Sequence, residues 1–568
     1  MQRTFRTSLK RQSLSLAGVW DFAPDPEDRG VAEGWYLRFP QEHHPMWVPG
    51  VWNTLRPFLN YEGPAWLRCR FASEPCRALA IRFAAVTHQA NVWLDGEPLG
   101  EHYGGFLPFS FVAPEPEAGE HELIVRVDNT HDAHYTIPSD NLDWFRYGGI
   151  PRPVSVDLFQ GTAYVESLRL TPILNGEQAA LNVRAELISL GEQTEERRWT
   201  LWVDHERARS GVVTLEPGEA QVLMFGLELG AVERWSPENP RLYSIRLELD
   251  DDDLIERTGF REIRVQGERV LLNGEPLRII GVNRHEDHPD WGFALPEHLM
   301  LRDLALLDEW GGNAIRGAHY PNDQRFLDLC DERGILFMEE IPLWGYTAAQ
   351  LGHAILADRA AAMVWGMVGR DINHPCIWAW SVLNECATDT LEGEALVSRL
   401  VETVREIDRT RPVTYASNRG ERDRCYDLVD LVCLNAYHGW YTDELTWPQF
   451  LDRMRRRVGA KPMLVTEFGA GAIYGWRTVE PGVIWSEEYQ AELLSECISH
   501  FLDRDDLAGF YVWQFFDTRT DRGAQNRRAL GRPRNYNNKG LLNEYRQPKL
   551  AYHQTRELLA RRKRPGPA

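Results

Sequence analysis

Two glutamates each close an apolar run. Residues 377–383 (IWAWSVL) lead into Asn384 and Glu385, and residues 463–466 (MLVT) lead into Glu467, Phe468 and Gly469. A short apolar run ended by a polar cluster reads as a buried strand with an exposed tip. A carboxylate at such a tip does little for stability and is well placed to react. Two carboxylates flanking a glycosidic bond are the equipment for its hydrolysis: a protonated one donates to the leaving oxygen and an ionised one attacks the anomeric carbon. Burial or negative charge raises one pKa, and hydrogen bonds or positive charge hold the other down. Carboxyl groups about 5–5.5 Å apart give retention through a covalent glycosyl-enzyme. Either glutamate alone is as well explained by a cap or salt bridge at a strand end; the shared register of the two favours chemistry.

For the two tips to meet, their strands must open onto one mouth. From about residue 266 the sequence alternates strand-like and helical stretches. Apolar runs at 277–282, 313–316, 335–338, 377–383, 413–416, 431–434, 463–466 and 509–515 supply eight strands. Between the first two, Leu299, Met300, Leu304 and Leu307 form a helical face behind Pro296. The next helix carries Phe326, Leu327 and Cys330 and stops at Gly334. Eight such strands in roughly 300 residues predict a (β/α)8 TIM barrel, whose active face lies at the strand C-termini. Glu385 then ends strand four and Glu467 strand seven.

Upstream, residues 1–162 read as all-β: short alternating segments with turns such as Asp95-Gly96, a jelly-roll β-sandwich. Residues 163–265 alternate with period two and predict an immunoglobulin-like β-sandwich that serves as a spacer. The catalytic barrel is expected over 266–568, with the basic stretch 561–568 as a disordered tail. Residues 141–152 (NLDWFRYGGIPR) are too dense in aromatics, glycines and charges for a plain connector. From composition they read as a cover over the sandwich more readily than as a loop reaching another domain's pocket.

The 568 residues carry a net charge of −21, which argues against nucleic acid and anionic membrane as partners. An anionic substrate would need a locally basic site. No apolar run has membrane-spanning length and no signal peptide is visible, so a cytoplasmic location is expected. The eight cysteines are scattered without a CxxC pair, as reduced thiols. The run His285-Glu286-Asp287-His288 lacks a third convincing ligand and the HExxH spacing, so no metal is expected there. Of 63 basic residues only Lys10, Lys461, Lys539, Lys549 and Lys563 are lysine, so a lysine kept inside a motif stands out.

Asn384-Glu385 and Thr466-Glu467-Phe468-Gly469 resemble the acid/base and nucleophile motifs of retaining glycoside hydrolases of family 2. The resemblance spans nearly the whole chain. Residues 15–22 (SLAGVWDF) and 48–53 (VPGVWN) resemble the family's N-terminal sandwich. Residues 281–287 (GVNRHED) and 313–321 (NAIRGAHYP) resemble its first two barrel strands, and Asn373-His374-Pro375 the segment entering the fourth. It implies sandwich, immunoglobulin-like domain and barrel in that order, with Glu385 as general acid/base and Glu467 as nucleophile. It further implies that Asn384 bonds the sugar 2-hydroxyl, His319 lines the pocket floor, Tyr437 sits beside the nucleophile and Trp513 walls the sugar. No cofactor is implied, and a homo-oligomer is expected.

The family takes several β-glycosides, so the fold does not choose the sugar. Residues 532–540 (RPRNYNNKG) contain Asn537-x-Lys539, which resembles the motif by which family-2 uronidases hold the substrate carboxylate. A sugar carboxylate entering an acidic protein needs a fixed cation and a donor. Lys539 supplies the charge, Asn537 an amide and Arg534 a possible second cation; in an Arg-rich chain a retained lysine weighs against a merely solvated loop. Residues 143–152 resemble the uronidase loop whose aspartate reaches the sugar, which assigns Asp143 to the site and reverses the reading from composition. Residues 485–490 (WSEEYQ) match the same branch. The expected activity is a retaining exo-β-glucuronidase, with a β-galacturonidase bearing the same clamp as runner-up. A β-galactosidase or a non-catalytic carbohydrate-binding protein stands behind these. The short stretch between Trp344 and Asn373 predicts no long loop over the mouth. Arg527, Arg528, Arg532 and Arg534, in the long stretch 517–535, are placed to reshape the sugar pocket.

Overall fold

Eight parallel strands pair in sequence order and the last returns to the first, closing a barrel in the computed structural model, which describes residues 3–442, 444–520 and 531–563. The strands are β1 (Ile279–Arg284), β2 (Ala314–Gly317), β3 (Leu336–Glu340), β4 (Ile377–Asn384), β5 (Val413–Ser417), β6 (Val432–Asn435), β7 (Met463–Glu467) and β8 (Leu507–Val512). Parallel strands wrapped by helices are buried on both faces, which is why they read as continuous apolar runs. β4 is the longest of them, and all of its residues are buried, Trp378 and Trp380 completely.

Helices α1 (Glu297–Trp310) and α2 (Gln324–Arg333) follow β1 and β2. α2 starts on an Asp323 cap and stops at Gly334, whose backbone is left-handed (φ 69°). A Cβ there would lie 2.3 Å from the Pro237 carbonyl oxygen, so the glycine also lets the second domain dock. α3 (Ala354–Asp371), α4 (Leu391–Ile407), α5 (Trp447–Val458), α6 (Glu487–Leu502) and α7 (Leu550–Lys563) complete the outer layer. Between β5 and β6 the described chain makes only short 3-10 turns. α7 runs through Arg561 and Arg562, which pair with Glu557 and Asp503; the expected tail is helical to Lys563, and 564–568 lie outside the described residues. None of the described helices is long and apolar enough to cross a membrane.

Residues 12–159 form a four-stranded and a six-stranded sheet around Trp20, Phe22, Trp52, Leu67 and Val125. Residues 163–258 form a three- and a four-stranded sheet around Leu170, Val183, Leu201 and Ile245. This second unit is more than a spacer. Asn373 accepts from Leu170 N at 2.8 Å and donates to Leu168 O at 2.8 Å, and Arg261 donates to the carbonyls of Pro375 and Ile377. It therefore grips the chain where it enters β4. The first sandwich reaches over the barrel mouth through residues 129–148, held by Tyr346 donating to Thr136 O and by an aromatic cluster of Trp144, Phe145, Tyr147, Phe293, Tyr320 and Trp344. The dense loop is thus both a cover and a reaching segment.

Candidate active site

The polar residues ending the barrel strands converge on one cavity. Its wall includes Glu385 and Glu467 together with His319, Trp344, Tyr437 and Trp513 from the barrel; Asp143 comes from the sandwich loop, and Tyr441, Arg532 and Lys539 complete it.

Glu467 ends β7 and is almost fully buried. Arg316, at the end of β2, donates to its Oε1 at 3.0 Å, and the Tyr437 hydroxyl donates to its Oε2 at 2.7 Å. Burial first, then the charge of Glu385, push its pKa up to about 8 against the pull of Arg316 and Tyr437. Glu385 follows β4 with φ 52°, a left-handed conformation uncommon outside glycine. It is half-buried, and Asn435 at the end of β6 donates to its Oε1 at 3.0 Å.

Arg316 organises the floor. Fully buried, it binds Glu340 through both carboxylate oxygens, Asn283 Oδ1 at 2.9 Å and Asn384 Oδ1 at 2.7 Å. Asn384 Oδ1 also accepts from Asn435 at 3.0 Å, while its Nδ2 is buried with no hydrogen-bond partner among the described residues. His319 is joined to Glu340 at 2.8 Å and stacks on Trp513 with centroids 5.0 Å apart. Burial lowers its pKa to about 4, which keeps the imidazole neutral.

Another part of the wall is cationic. Lys539 is buried and donates to the Tyr441 hydroxyl at 2.6 Å; burial, then the charge of Arg532, lower its pKa. Arg532 donates Nε to Asp143 Oδ1 at 2.9 Å and Nη2 to Asp143 Oδ2, and reaches the Tyr441 hydroxyl at 3.3 Å. Asn537 donates to Asp143 Oδ2 at 3.0 Å, so its amide is engaged with Asp143. Arg534 does not join this wall. It turns to Glu544 and Asn538, at 2.9 and 3.0 Å, and the arginine at the cavity beside Lys539 is Arg532. Arg532 is the extended residue before the 3-10 turn Pro533–Asn535 and Arg534 lies within it at φ 62°, so the two side chains diverge. Arg527 and Arg528 lie outside the described residues.

Arg316, Glu340, Asn435, Tyr441 and Trp344 carry no role in the sequence reading. The first three were within reach of its own rule, a polar residue ending an apolar strand, applied to β2, β3 and β6.

The run 285–288 is built into the joint between sandwich and barrel. Glu286 receives Arg152 at 2.8 Å and Asp323 N, and Asp287 receives the Tyr147 hydroxyl at 2.6 Å and Arg519 N. Among the described residues, Asp331, His374 and Cys376 also group ligand types together. Asp331 Oδ2 and His374 Nδ1 are 2.5 Å apart, a hydrogen bond too short for two ligands of one ion, and burial pushes the Cys376 thiol up, keeping it protonated. These groups brace α2 against the entry to β4.

A barrel with paired carboxylates at its C-terminal mouth defines a class, and comparison with known proteins gives the same one. The TIM barrel domain of the glycosyl hydrolases family 2 matches residues 263–563, and a further family-2 domain matches residues 163–261. The chain belongs to glycosyl hydrolases family 2 and is a glycoside hydrolase. Among its relatives, a β-glucuronidase of Paenibacillus borealis is 28% identical, with 96% of each chain covered. The crystal structure of a β-galacturonidase from Eisenbergiella tayi bound to galacturonate is 35% identical, with a TM-score of 0.91 over 98% of this chain and 99% of that one. A β-glucuronidase from Ruminococcus gnavus in complex with uronic isofagomine is 26% identical, with a TM-score of 0.85 over 98% and 99%.

Proposed function

We propose that this protein removes terminal β-linked uronic acids, glucuronides foremost, with retention of configuration. The observation that carries the reading is the placement of the buried Lys539 ammonium, with Arg532 beside it, in the same cavity as Glu385 and Glu467. In a chain of net charge −21, cations on that wall suit a sugar carboxylate.

The donor sets divide the labour. Glu467, fixed by a guanidinium and a phenol, is aimed as the nucleophile that forms the glycosyl-enzyme. Glu385, half-buried and held by one amide, passes its proton to the leaving oxygen and recovers it from the water that cleaves the intermediate. Asn384 Nδ2, buried and without a partner among the described residues, is the donor left for the sugar 2-hydroxyl, a contact that strengthens in the transition state. Tyr437 orients the nucleophile, Trp513 and His319 support the ring, and Asp143 with Asn537 faces the far hydroxyls.

A second reading, hydrolysis of β-galacturonides, is favoured by the higher identity to the Eisenbergiella tayi structure. It differs only at the 4-hydroxyl.

Side-by-side turnover of p-nitrophenyl β-D-glucuronide, β-D-galacturonide and β-D-galactoside, with the first-formed anomer read by NMR, tests both. Uronides should dominate and the β-anomer should appear first; fastest turnover of the neutral galactoside would overturn the uronide reading, and initial α-anomer the retaining one. Lys539→Ala should cost uronide hydrolysis about 2–5 kcal/mol, the scale for losing one partner of a buried charge pair.

A further inference from the structure

Lysine is kept at few places in this chain, and three of them share a geometry. The ammonium groups of Lys10, Lys461 and Lys549 each donate to two backbone carbonyls: Leu249 and Asp250, Tyr426 and Val429, Ala472 and Asn538. A compact donor with three N–H bonds converges on such acceptors where a planar guanidinium fork does not. Lys539 differs, donating to a tyrosine hydroxyl at the cavity.

Lys549 is fully buried, and its partners flank Lys539 on both sides. Its Nζ donates at 3.1 Å to the carbonyl of Asn538, the residue before Lys539. It pairs at 2.7 Å with Asp517 Oδ1, and that oxygen accepts at 2.9 Å the N–H of Gly540, the residue after Lys539. A third bond, 2.8 Å to Ala472 O, ties this knot to the loop that leaves Glu467. Gly540 is required in it: a Cβ would lie 2.3 Å from Leu542 O and 2.4 Å from Asp517 N. Arg534 adds a bond to the Asn538 side chain. Neither Lys549 nor Asp517 lines the cavity.

We infer that Lys549 and Asp517 are positioning residues for Lys539, a buried ion pair that fixes the backbone on either side of the ammonium that receives the substrate carboxylate. The inference rests on the carboxylate reading of Lys539 given above. Replacing a buried ion pair by neutral groups of similar size is often harmless to stability, so a buried pair is weak evidence of a stabilising role. Placement gives this one a role, because a binding group must be held within about 0.5 Å of its productive position.

Calorimetric binding of a carboxylate-bearing iminosugar and of its neutral counterpart separates the two roles. Lys539→Ala should abolish the preference for the carboxylate form. Asp517→Asn with Lys549→Met, which removes both charges together, should lower that preference roughly tenfold or more, leave neutral binding little changed, and keep the melting temperature near that of the parent. Equal weakening of both ligands, or an unchanged preference, overturns the inference. If Lys539→Ala loses the preference and the double variant keeps it, only the positioning role fails; if Lys539→Ala keeps it, the carboxylate reading fails as well. Should the double variant not fold, Asp517→Asn alone, near-isosteric and still able to accept from Gly540, carries the test. A several-fold loss of preference is expected, and full preference overturns the role.

Discussion

Glu467 sits under opposing influences. Burial and the neighbouring Glu385 push it up to about 8, while Arg316 and the Tyr437 hydroxyl pull it down. The two carboxyls share one cavity, so the proton in question belongs to the pair. In the mechanism proposed above glycosyl transfer needs one proton between them, and kcat/KM should therefore fall on an alkaline limb near pH 8. Stability carries the same signature. The folded chain keeps a proton that the unfolded glutamate releases near 4.5. The contribution of the pair's shared proton is thus complete below about 4.5 and lost as pH rises through about 8. Glu467→Gln removes the titration: activity should drop roughly 10⁴-fold, and the melting temperature relative to the parent should climb with pH across that window and then level off. A melting difference indifferent to pH would sink this account. At this scale the two glutamates were legible because each ends an apolar strand. The divergence of Arg532 and Arg534 was not, because nothing in the pattern RPRN encodes a left-handed residue inside a one-turn element.

The catalytic mouth depends on an element from another domain. Residues 129–148 bring Asp143 and Trp144 over the barrel, Trp144 lying 5.5 Å from His319 and 5.7 Å from Trp344 between ring centroids. Where the loop returns to its sandwich, Gly148 donates to Asn53 Oδ1 and accepts from Trp52 N. A Cβ at 148 would lie 1.9 Å from the Trp52 ring, which is itself fully buried and has no room to yield. Gly148→Ala should destabilise by at least about 1–3 kcal/mol in urea unfolding, the usual cost of overpacking. It should also raise KM for uronides, since Asp143 shifts while Glu385 and Glu467 stay on the barrel; an unchanged KM would show that the loop does not hold the sugar. The barrel strands were readable because burial on both faces leaves a continuous apolar signature, and the helix stop at Gly334 because its cause is local. The grip of the second domain on β4 was hidden. The side chains of Asn373 and Arg261 make it, but their partners are main-chain groups of Leu168, Leu170, Pro375 and Ile377, which any sequence could supply.

At the scale of the whole molecule, charge and site oppose each other. A net charge of −21 repels an anionic sugar at long range, and in the function proposed above Lys539 and Arg532 attract it only once it has arrived. Salt acts differently on the two terms. The long-range field is screened as the Debye length shrinks from about 30 Å at 0.01 M to about 8 Å at 0.15 M. A buried contact of a few ångströms is screened much less. Raising ionic strength over that range should therefore increase kcat/KM for a β-uronide, by roughly two- to fourfold from Coulomb's law in water at the radius of a 65.5 kDa protein. Turnover of a neutral glycoside should stay flat. A fall in uronide kcat/KM with salt would mean that the local cations already dominate at the protein surface, and that the acidity of the chain has no part in how substrate approaches.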